Sequence, residues 1–109
     1  MALKDKKCDC RNATLLSDEE LSVYKIEVPD WKVVETTKGD DLVQILRRDY
    51  KFSTYMEGVQ FVNRLAEIAE EQDHHPDINL GWRKATVDIY THSVKGLTEN
   101  DFYLAAKYD

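Results

Sequence analysis

The chain has 109 residues, 42% of them hydrophobic and 33% charged. That length supports one domain, and no apolar run approaches the roughly 20 residues needed to span a bilayer. With 21 acidic against 15 basic residues the formal net charge is −6, which argues against a nucleic-acid binder, whose contact face is basic.

Residues 1–13 lack periodicity and read as a flexible N-terminal tail, leaving 14–109 as a single domain. No apolar leader-like stretch follows the start, so no secretory leader is expected. The tail holds both cysteines, Cys8 and Cys10. Two thiols are too few for a disulfide framework and fit a reducing compartment. A Cys-x-Cys pair alone also lacks the four ligands of a zinc site, so both read as incidental thiols.

Thr14 to Val28 is a helix candidate, with Ser17 and Glu20 spaced as a capping box and Leu21, Tyr24 and Val28 on one side. Pro29 stops it. Trp31–Thr36 and Leu42–Phe52 read as strands of a hairpin turning at Gly39. Leu42, Leu46, Tyr50 and Phe52 share one parity, but the other parity is only partly polar. Arg47, Arg48 and Lys51 come closest to a basic patch, although the first two point to opposite faces of a strand.

Ser53 to Asp73 is the strongest helix. Tyr55, Val59, Val62, Ala66 and Ala69 recur at helical spacing, and Met56, Leu65 and Ile68 widen the stripe. Gly58 inside it suggests a close approach of backbone to sheet. Pro76 biases His75 away from helix, so the helix should end near His74. Ile78, Leu80 and Trp82 alternate as a short strand, with Gly81 at a bend. Ala85, Val87 and Ile89 then face one way, and Lys84, Thr86, Asp88, Tyr90 and His92 the other. A last helix holds Leu97, Phe102, Leu104, Ala105 and Tyr108. The order α-β-β-α-β-β-α predicts an α+β two-layer sandwich, a four-stranded antiparallel sheet with helices on one face.

All three histidines lie in the second half, at 74, 75 and 92. If the last strand runs back beside the long helix, they converge on one pocket. A helix C-terminus favours the imidazolium form, and imidazole titrates near neutrality, where general acid-base work is done. Surface or capping histidines are the plainer alternative. A three-histidine zinc site is disfavoured because adjacent ligands suit a tetrahedral ion poorly. Glu70, four residues before His74, can hold that ring in one tautomer. Asp101 reads first as a helix cap and second as a partner for a histidine or ligand amine. Trp82 and Tyr90 share the open sheet face with His92, where an aromatic can stack a flat heterocycle or close a subunit interface.

Two stretches, FVNRLAEIAEEQDHHPDI (61–78) and THSVKGLTEND (91–101), carry Glu70, His74-His75-Pro76, His92 and Asp101 in order. Together with Trp82, LSDEEL (16–21) and the Pro29-Asp30-Trp31 turn, they closely resemble the pterin-4a-carbinolamine dehydratase family over about residues 14–108. The resemblance implies a dehydratase that converts 4a-hydroxytetrahydrobiopterin to quinonoid dihydropterin in tetrahydrobiopterin recycling, with no metal and no cofactor. It implies His74, His75 and His92 as catalytic residues, the first two as an acid-base pair and the third aiding pterin binding. Glu70, Trp82, Thr91 and Asp101 follow as substrate-binding or supporting residues. It further implies a homodimer or homotetramer and a cytoplasmic location, nuclear as well in some relatives. Some relatives also capture a helical protein partner, the dimerisation segment of a liver homeodomain transcription factor. Neither a nucleic-acid nor a membrane partner is expected.

Overall fold

The computed structural model describes residues 2–109, so Met1, the first residue of the expected tail, lies outside the described residues. Helix α1 (Asp18–Glu27) opens on the capping box read from the sequence. The Ser17 hydroxyl accepts the Glu20 N–H at 3.2 Å, and the Glu20 carboxylate accepts the Ser17 N–H at 3.0 Å. The helix starts after Ser17 rather than at Thr14 because the capping residue is itself extended (φ −71°, ψ 164°). Strands β1 (Lys32–Lys38) and β2 (Asp41–Lys51) form the hairpin, with Gly39 at φ 63° in its turn. Helix α2 (Tyr55–Gln72), strands β3 (Asp77–Leu80) and β4 (Lys84–Ile89), and helix α3 (Glu99–Tyr108) follow. The predicted α-β-β-α-β-β-α order and α+β class hold. The sheet runs β1-β2-β4-β3 with every pair antiparallel.

The main core lies between helices and sheet. Ala85, Val87 and Ile89 of β4 are fully buried, as their parity predicted, and Leu46, Leu65, Phe102, Leu104 and Trp31 join them. Gly58 does provide close approach. A Cβ there would meet Leu80 Cδ1 at 2.9 Å and the Phe52 ring at 3.2 Å. That contact sets the rotation of α2: Gly58, Leu65 and Ala69 are buried, with Phe61 and Ile68 half-buried. Tyr55, Met56 and Ala66, placed in the inward stripe by spacing, are exposed instead.

The mixed parity of β2 also has an explanation. Leu46 faces the helices, while Val43 and Ile45 form a second small core with Tyr90 and Val34 on the opposite face. Leu42 is exposed. The hairpin tip closes over this face: Lys38 Nζ lies 2.9 Å from Asp88 and 3.0 Å from Asp77, and Lys95 Nζ lies 3.0 Å from Asp41. Arg47 also grips Asp88, at 2.7 and 2.9 Å. Arg48, pointing the other way, pairs with Asp109 at 2.7 Å. The two arginines of the candidate basic patch are therefore paired with carboxylates.

Strand β3 stops at Leu80, and Gly81 N–H donates to the Lys84 carbonyl at 2.8 Å. Trp82 thus sits in the β3–β4 turn, not on the strand. The N-terminal segment, expected as a flexible tail, lies against the domain. Its Leu3–Asp5 turn packs on α3, Lys107 Nζ donates to the carbonyls of Lys4 and Lys6, and Cys8 is buried in the core.

Candidate active site

The site begins where α2 ends. Asp73 adopts the left-handed conformation (φ 51°). Its N–H donates to the Glu70 carbonyl at 3.2 Å, and the His74 N–H donates to the Ala69 carbonyl at 3.1 Å. This paired closure satisfies the Ala69 and Glu70 carbonyls in the last turn of the helix. It also swings consecutive residues apart. His74 turns inward to 4% exposure, whereas the His75 side chain stays 51% exposed.

Inside, His74 Nε2 lies 2.6 Å from Asp101 Oδ1, and Asp101 is fully buried. The other carboxylate oxygen accepts the Thr98 N–H at 2.8 Å and the Thr91 hydroxyl at 3.0 Å. Thr91 and Thr98 share a further hydroxyl contact at 2.8 Å. Asp101 therefore both caps α3 and orients a histidine. Surrounded by donors, it assigns the hydrogen of His74 to Nε2 and leaves Nδ1 as the acceptor. Cys10 Sγ stands 3.3 Å from Nδ1. Burial pushes the Cys10 thiol up to about 11, with Asp101, Asp73 and Asp9 adding to the effect, which keeps the sulfur protonated.

His92 arrives from the other direction. Thr91 pairs with Gly96 across a short turn after β4, and this presents His92 to solvent with its ring 4.3 Å from that of Tyr90. His74, His75, Thr91 and His92 line one cavity of about 770 Å³, walled on another side by residues 7–11. The convergence expected of the histidines is thus present, and Thr91 belongs to it both by lining and by its bond to Asp101.

Two expected site residues are placed differently. Glu70 reaches His75 at 3.4 Å, not His74, and is 79% exposed. Helical i, i+4 spacing fails here because the left-handed Asp73 rotates His74 off the helix face. Trp82 is 74% exposed and lines a separate cavity of about 420 Å³ with Phe52, Arg83 and two lysines. It does not line the histidine cavity, because the alternation that placed it there ends at Leu80.

Spacing gave no sign of Cys10, or of Asn100 and Gln72, which hold its segment in place. The one available signal was two apolar-tolerant thiols in an otherwise polar stretch. Among the described residues, no group of three or more His, Cys, Asp or Glu side chains is arranged to hold a metal ion, and no helix is long and apolar enough to cross a membrane.

Comparison with known proteins adds to this geometry. Residues 14–109 match the family described as pterin 4 alpha carbinolamine dehydratase. A protein of Rubrobacter xylanophilus named "Putative pterin-4-alpha-carbinolamine dehydratase" is 42% identical over 109 residues, covering 98% of this chain and 95% of that one. One of the same name from Halorhodospira halophila is 40% identical over 111 residues, covering 100% and 96%. Among solved structures, the chain is similar to a transcriptional coactivator/pterin dehydratase from Brucella melitensis. The TM-score is 0.75 at 26% identity, over 87% of this chain and 95% of that one. It shares its fold with a pterin dehydratase-like protein identified as a RuBisCO assembly factor in the alpha-carboxysome. There the TM-score is 0.54 at 24% identity, over 71% and 84% of the two chains.

Proposed function

The chain belongs to the pterin 4 alpha carbinolamine dehydratase family of hydro-lyases, and from that premise we propose that it catalyses loss of water from a 4a-hydroxytetrahydropterin. The product is the quinonoid dihydropterin, and the tetrahydrobiopterin cycle is the setting in which such a step recycles the cofactor. The observation that carries this reading is the buried His74–Asp101 pair opening onto the same cavity as His75 and His92.

The chemistry asks for two proton movements. The C4a–O bond breaks as a proton reaches the leaving hydroxyl, and the ring N–H proton leaves as the C=N bond forms. The sum is carbinolamine to quinonoid dihydropterin plus water, with no change of oxidation state. Imidazoles suit both movements, and positioned acid-base groups supply about 10²–10⁴ in rate. Asp101 occupies Nε2 of His74, so Nδ1, which Cys10 Sγ approaches at 3.3 Å, is the nitrogen left for proton transfer. His75 and His92, exposed at the rim, are free to reorient around a flat ring. We assign His74 and His75 as the acid-base pair, His92 as a pterin-binding and hydroxyl-handling residue, and Thr91 and Asp101 as support for His74.

Assembly as a homotetramer or homodimer belongs to the same reading. Val23, Ile26, Leu42 and Trp82 are each at least 66% exposed, and burying such side chains on a second copy is favourable. Sedimentation as a monomer at micromolar concentration would remove that part.

The test of the activity is 4a-hydroxytetrahydropterin dehydration followed by ultraviolet absorbance, with wild type, His74→Ala and His75→Ala in parallel. Acceleration by wild type that collapses in both variants, with circular dichroism unchanged, supports the proposal. Wild type no faster than buffer refutes it.

A further inference from the structure

Residues 7–11 form neither helix nor strand, yet they are fixed by specific pairing. Asn100, only 2% exposed, answers the Asp9 backbone in both directions. Its Oδ1 accepts the Asp9 N–H at 2.8 Å, and its Nδ2 donates to the Asp9 carbonyl at 2.8 Å. Gln72, the last residue of α2, accepts the Cys8 N–H at 3.0 Å. The Cys8 thiol is buried 3.5 Å from the Asn100 carbonyl. A buried amide is costly to leave unpaired, so the segment is held by the helix that also supplies Asp101. The outcome of this anchoring is the position of Cys10, whose Sγ lies 3.3 Å from His74 Nδ1 across 64 positions of sequence.

We propose that Cys10 is a positioning residue for the dehydration, donating its thiol hydrogen to the cavity-facing Nδ1 of His74 and pinning that ring against Asp101 until the pterin takes the thiol's place. The inference rests on the dehydratase reading above. A ring held only through Nε2 can rotate about that single bond. A second contact on the opposite nitrogen removes the rotation and keeps the lone pair aimed at the cavity. A thiol suits the task because S–H is a weak donor, so an N–H or O–H of the pterin displaces it at little cost. Burial keeps the thiol protonated, as a donor must be. The segment that carries it thereby becomes a wall of the pterin site.

The test compares wild type, Cys10→Ala and Cys10→Ser by steady-state dehydration kinetics and by imidazole ¹⁵N spectra recorded without substrate. Because the thiol has left Nδ1 once the pterin is bound, Cys10→Ala should lower kcat/KM about three- to tenfold with kcat within about twofold, the scale of one hydrogen bond. Cys10→Ser, which retains a donor, should also leave kcat within about twofold and raise KM, because a hydroxyl is harder to displace. The His74 Nδ1 resonance should move in Cys10→Ala and stay near its wild-type position in Cys10→Ser. Unchanged kcat/KM and an unmoved resonance in Cys10→Ala would overturn the proposal. So would equal impairment of both variants with no change at Nδ1, since that assigns the loss to packing of the segment. An inactive wild type would instead remove the dehydratase reading, while the spectra would still decide whether Cys10 contacts His74.

Discussion

His74 and His75 are neighbours in sequence and opposites in circumstance. His74 is the floor of the cavity, 4% exposed, with Nε2 on Asp101 and Nδ1 on Cys10. His75 is the rim, half-exposed, with one 3.4 Å approach from a Glu70 that is itself exposed. One left-handed residue, Asp73, separates the two fates. The floor histidine has a defined tautomer and direction because its desolvation is met by a network. The rim histidine has only an exposed partner, Glu70, and no buried network.

The contrast is broken most severely at Asp101. Replacing Asp101 with Ala strips the Thr98 N–H, the Thr91 hydroxyl and His74 of a shared buried acceptor. Denaturant melts should show a loss of about 2–4 kcal/mol, and kcat should fall about 10²-fold or more. The two histidines should then separate. His74→Ala should lower both stability, by about 1–3 kcal/mol, and kcat. His75→Ala should lower kcat while leaving stability within about 0.5 kcal/mol. Equal stability loss in the two would erase the distinction between floor and rim.

A third measurement sharpens the same contrast beneath the cavity. Burial pushes the Cys8 thiol from 9.0 up to about 12. A group whose folded pKa is raised contributes stability that is complete below its unfolded value and fades as pH rises through the folded one. Cys8→Ala should therefore lose stability less steeply than wild type between pH 9 and about 12 in urea melts at stepped pH. The smallest effects belong to Glu70 and Trp82. Glu70→Gln should change stability by less than about 0.5 kcal/mol, as exposed pairs do. Trp82→Ala should leave kcat within about twofold in the same assay, since the indole lines a different cavity.

What could be read beforehand was whatever depends on near neighbours. The Ser17–Glu20 box, the Gly39 turn and the burial of Ala85, Val87 and Ile89 are decided within a few residues, and each appears as read. The histidine convergence was legible because strand and helix order implied it. Contacts set by a local break were not. The left-handed Asp73 sent Glu70 to His75 instead of His74, and the turn at Gly81 carried Trp82 away from the cavity. Least legible was the N-terminal segment. Its pairing with Asn100 spans 91 positions and leaves no periodic trace, so Cys10 could not be placed from spacing.

His74, His75 and His92, from two parts of the chain, line one cavity, and the proposed function makes that cavity a single pterin site. The most direct measurement is a titration of the protein with an oxidised dihydropterin, following the imidazole resonances of His74, His75 and His92. All three should shift along one saturable curve at one pterin per chain. Saturable binding that leaves these resonances unmoved would contradict it.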